Sequence, residues 1–139
     1  MEYKRFKDTY AVRLDLNDEV MKSVMELAEK EGIRLAEVSA IGATDHAVIG
    51  VYDLDRQSYH HEEINGFAEI TSLMGNITVM DGKPYVHLHA TLVDQKHVVH
   101  GGHVIEMKIG ATGEMFVKVI DGEISRGKDT DLGINLWKF

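Results

Sequence analysis

The chain has 139 residues, of which 44 % are hydrophobic, and this size and composition favour a single globular domain over residues 1–139. It contains no cysteine, which excludes disulfides, thiolate metal ligands and cysteine nucleophiles and suits a reducing cytoplasm. The net charge is −8, and neither a secretory signal nor an apolar run of roughly 20 residues is present, so we expect a cytoplasmic protein with no membrane partner.

The first predicted elements are a strand and a helix. Residues 9–16, "TYAVRLDL", alternate in polarity and predict a half-buried strand whose inner face carries Tyr10, Val12, Leu14 and Leu16. Asn17 is predicted to cap the helix that follows, with Asp18 and Glu19 in its first turn. Apolar side chains recur at helical spacing up to Gly32, a typical stop signal, and this is the one long helix that the sequence predicts.

The rest of the chain predicts strands separated by glycines and short links. The candidates are Arg34–Ile41, Ala47–Tyr52, Ser58–Ile64, Phe67–Leu73, Asn76–Met80, Tyr85–Val93, Val98–Ile109 and Glu114–Ile120. Short links favour antiparallel pairing, so the predicted fold is α+β, with a mainly antiparallel sheet and one long helix. Trp137 and Phe139 are expected to dock on the domain or on a neighbouring subunit, and the basic N-terminal arm is expected to be solvated.

Five of the eight histidines lie in the segment "HLHATLVDQKHVVHGGH", residues 87–103. Strand alternation places Val86, Leu88, Ala90 and Leu92 on the core face, so His87 and His89 point away from the core. The Asp81-Gly82 turn predicts a hairpin in which His87 lies opposite Asn76. A three-residue loop over residues 94–96 would then place His87 opposite His103, and His89 opposite Gly101.

This register brings three imidazoles together, because directly paired residues have Cβ atoms about 5 Å apart. His87, His89 and His103 are therefore the predicted ligands of zinc or another divalent transition metal. His97 and His100 are less favoured. The same alternation puts Ile105, Met107 and Ile109 on the histidine face, which requires either cover from another subunit or a bulge at Gly101-Gly102.

The stretch "FAEITSLMGNITVMDGKPYVHLHATLVDQKHVVHGGH" resembles the plant-and-prokaryote-conserved (PPC) domain, and the upstream "GIRLAEVSAIGATDHAVIGVYD" extends the similarity. The motifs are E-I-x-S-L-x-G-N, D-G-K-P, H-L-H and G-G-H, in that order. The resemblance implies an α/β domain with a mainly antiparallel sheet, assembled as a homotrimer. In prokaryotic members the H-x-H and G-G-H histidines look like metal ligands, and they correspond to His87, His89 and His103.

Plant members of the family join this domain to AT-hook segments that grip DNA. No R-G-R-P hook occurs here, and Arg126-Gly127-Lys128 is followed by Asp129 where the proline of a hook belongs. The plant G-R-F-E-I-L segment aligns with residues 66–71 but lacks its Arg and its Phe, so its partner function is not carried over. Together with the acidic net charge, these departures predict only weak DNA binding.

Three functions therefore remain as hypotheses. The first is a trimeric metal-binding module whose ion is structural or regulatory. The second is a zinc enzyme that uses an open metal position, with Glu69 as the candidate proton acceptor if Met74-Gly75 turn the chain tightly. In that hypothesis Glu69 could equally be an exposed carboxylate or a partner of a ligand histidine. The third is a transcription-related DNA-binding protein, which rests on family analogy alone.

Overall fold

The computed structural model describes all residues, 1–139, and contains eight strands and one helix. The elements in chain order are β1 (Glu2–Phe6), β2 (Thr9–Leu14), α1 (Val20–Glu31), β3 (Ala36–Asp53), β4 (Ser58–Met80), β5 (Lys83–Asp94), β6 (Val99–Val119), β7 (Ser125–Lys128) and β8 (Asn135–Lys138). The predicted α+β class is confirmed, with a mostly antiparallel sheet. The description of the helix as long is wrong, since α1 has only 12 residues.

Three of the strands are much longer than the sequence predicts. The predicted segments on either side of Gly42 form the single strand β3, and three predicted strands are joined in β4. Likewise, the segments around Gly110 and Gly113 are continuous in β6. The glycines that suggested strand ends instead lie within the strands, and the pairing of β3 with its neighbours shifts beside Gly42.

The pairing of the four central strands closes on itself. Strand β3 pairs antiparallel with β4 and with β6, and β5 also pairs antiparallel with both β4 and β6. Each of these four strands therefore has a hydrogen-bonded neighbour on both sides where the circuit closes, and no strand edge is left unpaired there. Strands β2 and β1 extend the sheet from the C-terminal half of β6, while the β7–β8 hairpin joins the end of β4 through a single parallel pair.

Helix α1 packs its apolar stripe onto β5 and β6. Its side chains Val20, Val24, Leu27 and Ala28 are buried and belong to one continuous core with the inner residues of the strands. The N-cap is Glu19, whose carboxylate accepts hydrogen bonds from the backbone N–H groups of Met21 and Lys22. The predicted cap, Asn17, has a left-handed backbone (φ 72°) outside the helix, whereas Gly32 ends the helix as predicted.

Both ends of the chain lie largely at the surface, and the basic side chains of the N-terminal segment are solvated as expected. The basic N-terminal segment is a strand, β1, paired with β2 rather than a free arm. Leu16, predicted on the inner face, lies beyond the end of β2 and is exposed. At the other end, Trp137 lies beside Arg126, and the ring of Phe139 is edge-on to that of Trp137 and fully exposed. Docking of these two side chains on a neighbouring subunit stays a prediction. The single helix is neither long nor apolar enough to cross a membrane.

Candidate metal centre

Strand β5 carries two of the three candidate ligands on its outer face. Val86, Leu88, Ala90 and Leu92 are buried in the core, while His87 is half-buried and His89 is exposed. The β4–β5 register agrees with the hairpin predicted from the Asp81-Gly82 turn, because Asn76 lies opposite His87 and Thr78 lies opposite Tyr85. Alternation alone therefore oriented these two histidines correctly.

Close approach of β4 and β5 at this point depends on Gly75. A Cβ atom at this position would overlap the backbone carbonyl oxygen of His87. Gly75 also pairs with Leu88, so its missing side chain lets the two strands lie together next to His87, the first candidate ligand. The strand continues through Met74 and Gly75, which excludes the tight turn that the sequence suggested there.

The predicted β5–β6 register is wrong by two residues. His103 lies opposite His89 rather than His87, and Gly101 lies opposite Thr91. Strand pairing ends at Val93 and Val99, so the connection is longer than the predicted three residues. The carboxylate and carbonyl groups of Asp94 stabilise this connection by accepting hydrogen bonds from its backbone N–H groups. His97, within the connection, has a left-handed backbone. Because an even shift preserves alternation, His103 still points to the face that carries His87 and His89.

Strand β6 changes phase just after His103. The β3–β6 register shifts between the pairs Val48–Glu106 and Ile49–Val104, which leaves Ile105 as an extra residue. Met107 and Ile109 are consequently buried in the core, while Ile105 stays partly exposed. The bulge lies at Ile105 and not at Gly101-Gly102, and Met107 needs no cover from another subunit.

The three histidines converge. One ring nitrogen of each of His87, His89 and His103 lies within 4.8 Å of the others, and no further histidine or acidic residue joins this group. Nε2 of His87 is 3.2 Å from Nε2 of His89. Two nitrogens on one tetrahedral zinc, each about 2.0–2.1 Å from it, lie about 3.3 Å apart. The first pair is therefore already at the separation that a shared ion requires.

Burial favours the neutral form of two of these imidazoles, those of His87 and His103. Desolvation, aided by the neighbouring charges of His103, Arg126 and His89, lowers the pKa of His87 to about 4. Desolvation also lowers the pKa of His103, with a smaller contribution from His89. Nδ1 of His103 is buried without a hydrogen-bond partner, which is a costly state for a polar atom. Neutral rings with available nitrogens are the form that binds transition metals.

Aromatic side chains form one wall of the site. The ring of Tyr59 stacks on His103 with centroids 5.0 Å apart, and Tyr52 packs edge-on against Tyr59. Gly50, which lies opposite His103 on β3, makes room for this ring, because a Cβ there would come within 2.9 Å of Tyr59. Burial and the nearby phenols of Tyr85 and Tyr52 raise the pKa of Tyr59.

Arg126, on β7, contacts the ring of His87. Its Nη2 is 3.4 Å from Nδ1 of His87, and its guanidinium lies over the ring of Tyr85 at 4.8 Å. Burial lowers the pKa of Arg126. Neither Tyr59 nor Arg126 was predicted as a site residue, because strand pairing and the C-terminal hairpin bring them to the histidines across long stretches of sequence.

The structure does not bring Glu69 to the histidines. Glu69 is exposed and pairs with Val93, four residues along β5 from His89, which corresponds to about 13 Å of strand. It lines a separate cavity together with Thr112 and Glu114. The basis for its predicted catalytic role was the turn at Met74-Gly75, which is absent.

The other histidines have separate roles. His100 hydrogen bonds to Glu62 at 2.7 Å and to Asp94 at 3.4 Å, and these two contacts raise its pKa. His60 pairs with Asp53, and His46 contacts the side chain of Asn65. His97 lies in the β5–β6 connection. None of these belongs to the group of three converging rings.

Three features define the class of protein. They are a closed antiparallel sheet, one short helix, and a histidine cluster from the H-x-H and G-G-H motifs on the outer face of the sheet. The family model described as Plants and Prokaryotes Conserved (PCC) domain matches residues 1–121, and the chain belongs to this family, also abbreviated PPC. A search of curated proteins found no significant match.

Several solved structures share the whole fold. A metal-containing protein of Archaeoglobus fulgidus is 35 % identical, with a TM-score of 0.89 and coverage of 99 % of this chain and 97 % of that one. A Pyrococcus horikoshii PPC protein is 29 % identical, with a TM-score of 0.87 and coverage of 99 % and 94 %. A Bacteroides thetaiotaomicron protein, described as a candidate DNA-binding protein, is 27 % identical, with a TM-score of 0.96 and coverage of 99 % and 96 %.

Proposed function

We propose that this protein binds a divalent transition metal through His87, His89 and His103. The observation that carries the proposal is the convergence of three ring nitrogens within 4.8 Å, two of them already 3.2 Å apart. The unpartnered, buried Nδ1 of His103 supports it, because a site without a ligand leaves this atom unsatisfied. The 35 % identical relative from Archaeoglobus fulgidus is a metal-containing protein, which supports the same assignment.

Zinc is the ion that we expect. Three neutral imidazoles without a thiolate or carboxylate suit zinc, and also copper, nickel or iron, better than magnesium or calcium, which prefer oxygen ligands. We further propose that the chain is a homotrimeric single domain over residues 1–139. Ile41, Met74 and Phe116 are exposed and line one shallow cavity on neighbouring strands, and this apolar surface is suited to contact with another copy.

A zinc enzyme is the second candidate. Only three protein ligands converge, and a tetrahedral zinc with three protein ligands has a fourth position for water or a substrate, as in catalytic zinc sites. A metal in such a site would act as a Lewis acid and lower the pKa of bound water. His89 is exposed, so a small molecule could approach from this side. Within one chain, Glu69 lies too far from the histidines to serve as the proton acceptor.

DNA binding is the weakest of the three hypotheses. It is suggested by relatives described as candidate DNA-binding proteins. The net charge of −8 opposes binding to a polyanion, since phosphate contacts supply most of the affinity of such proteins. The carboxylates of Glu62, Glu63 and Glu106 near His100 and His46 add to this repulsion.

Metal analysis of point variants tests the main proposal. Wild-type protein without an affinity tag is saturated with zinc, dialysed, and measured for metal per chain beside His87→Ala, His89→Ala and His103→Ala. We expect about one ion per wild-type chain and a loss of most of the metal in each variant. His97→Asn is the matched control, because Asn tolerates the left-handed backbone at this turn and removes only an imidazole.

Two results would contradict the assignment. If wild-type protein retains no metal after zinc is supplied, the histidine cluster is not a metal site. If His103→Ala keeps its metal while His97→Asn loses it, the ligand set is wrong. Circular dichroism of each variant should stay unchanged, because these side chains lie off the core face of their strands.

A further inference from the structure

Arg126 is a partly buried cation whose hydrogen-bond partners are all uncharged. Its Nε donates to Oγ1 of Thr78 at 2.8 Å and Nη1 donates to the carbonyl oxygen of Asn135 at 2.9 Å. Its Nη2 contacts Oδ1 of Asn76 at 2.9 Å and Nδ1 of His87 at 3.4 Å. These contacts fix the guanidinium next to the first ligand histidine.

No carboxylate forms an ion pair with Arg126, unlike the exposed Arg13, Arg34 and Arg56, which all have acidic partners. The guanidinium also lies over the rings of Tyr85 and Trp137, whose centroids are 4.8 and 5.9 Å from its carbon. A guanidinium that is partly withdrawn from water without a counter-ion is costly, so the surroundings of Arg126 favour the binding of an anion.

The metal centre proposed above would, with an ion bound, also carry positive charge that no acidic residue balances. Three neutral imidazoles contribute no negative charge, and no aspartate or glutamate belongs to the group. A divalent ion held there would add two positive charges next to that of Arg126. We propose, on the basis of this proposed function, that the site binds a small organic carboxylate that contacts both the metal and Arg126.

The hydrogen-bonding capacity of Arg126 fits this role. A guanidinium has five N–H groups, and the four contacts leave one N–H of Nη1 free. If His87 is a ligand through Nε2, the proton of its neutral ring lies on Nδ1, which then no longer accepts from Arg126. The Nη2 N–H that faced Nδ1 then lacks an acceptor, and it and the unused N–H of Nη1 can donate to a carboxylate.

The surroundings favour an organic anion over inorganic phosphate. Trp137 and Tyr59 are partly exposed on either side of the cluster and offer apolar surface to a carbon skeleton. Arg126 and Trp137 lie beyond residues 1–121, the part of the chain that the family model covers. Ligand selection would thus come from the C-terminal hairpin, while the metal ligands come from the family domain.

The test uses protein loaded with cobalt(II), whose visible spectrum reports changes in its coordination. Metal per chain is measured first, and acetate, inorganic phosphate and uncharged acetamide are then titrated separately. We expect acetate to change the spectrum and acetamide to have no effect. Arg126→Gln should retain cobalt but weaken acetate binding by at least about tenfold, the loss expected for a hydrogen bond to a charged group. Arg126→Lys, which keeps the charge, should weaken it less.

Arg13→Gln is the matched control, since it makes the same change of charge at an exposed position. It should bind acetate like wild type. If no cobalt is bound, the proposed metal function itself fails, and this inference fails with it. If cobalt is bound but acetate has no effect, binds equally to Arg126→Gln, or binds less tightly than phosphate, the carboxylate proposal alone is overturned. Loss of cobalt from both Arg126 variants would also overturn it and make Arg126 a structural clamp.

Discussion

Lowering the pH should destabilise the metal-free protein through its buried histidines. The pKa of His87 is lowered from 6.5 to about 4 in the folded chain, so below pH 6.5 the unfolded chain takes up a proton that the folded chain does not. The stabilisation from this group is therefore present above pH 6.5 and is lost as the pH falls towards 4. Between pH 7.5 and 4.5 the loss from His87 amounts to roughly 2 kcal/mol of unfolding free energy.

Two other histidine effects act in the same window. The lowered pKa of His103 adds to the loss. The raised pKa of His100 has the opposite sign, because its stabilisation is fully present below pH 6.5 and is lost as the pH rises through the folded pKa. Carboxylates with lowered pKa values, such as Asp53 and Asp94, lose their stabilisation chiefly below about pH 4.5, so the histidines dominate the change between pH 7.5 and 4.5.

The assay is urea unfolding in the presence of a chelator, at one protein concentration, at pH 7.5, 6.5, 5.5 and 4.5. His87→Gln removes the titrating group, and its unfolding free energy should fall by roughly 2 kcal/mol less than that of wild type over this range. His100→Gln is the control of opposite sign and should steepen the fall. A wild-type unfolding free energy that stays level or rises as the pH drops, or an identical slope in His87→Gln, would refute the reasoning.

Three further predictions concern packing, assembly and charge. Gly75→Ala should lower the unfolding free energy by about 3 kcal/mol and reduce metal binding, because its Cβ would overlap the carbonyl of His87. Urea unfolding and metal content measure the two effects, and wild-type values for both would contradict the prediction. Light scattering should give three times the chain mass of 15.6 kDa, and Phe116→Glu should lower that mass, whereas a wild-type monomer would exclude the trimer. Labelled AT-rich duplex should bind only weakly at physiological salt, and submicromolar, sequence-selective binding would restore the DNA hypothesis.

Several parts of this molecule follow from local sequence. Alternation in "YVHLHATLV" separated Val86 and Leu88 from His87 and His89, because successive side chains of a strand point to opposite faces. The Asp81-Gly82 turn determined the β4–β5 register through its own backbone preference. The family was also recognisable from short motifs that remain in order along the chain. These features depend on residues that are neighbours in sequence.

Other features were decided by tertiary structure. The β5–β6 register depends on how Asp94 organises its connection and on pairing with β3, and neither leaves a local pattern, so His103 was placed opposite the wrong histidine. The bulge at Ile105 exchanges the inward-facing and outward-facing positions of β6, and it too leaves no local sequence pattern. Arg126 reaches the site only because the β7–β8 hairpin packs against the end of β4. Glycine has no side chain to mark its role, so only the closed circuit of strands shows why Gly42 and Gly75 lie within strands and not between them.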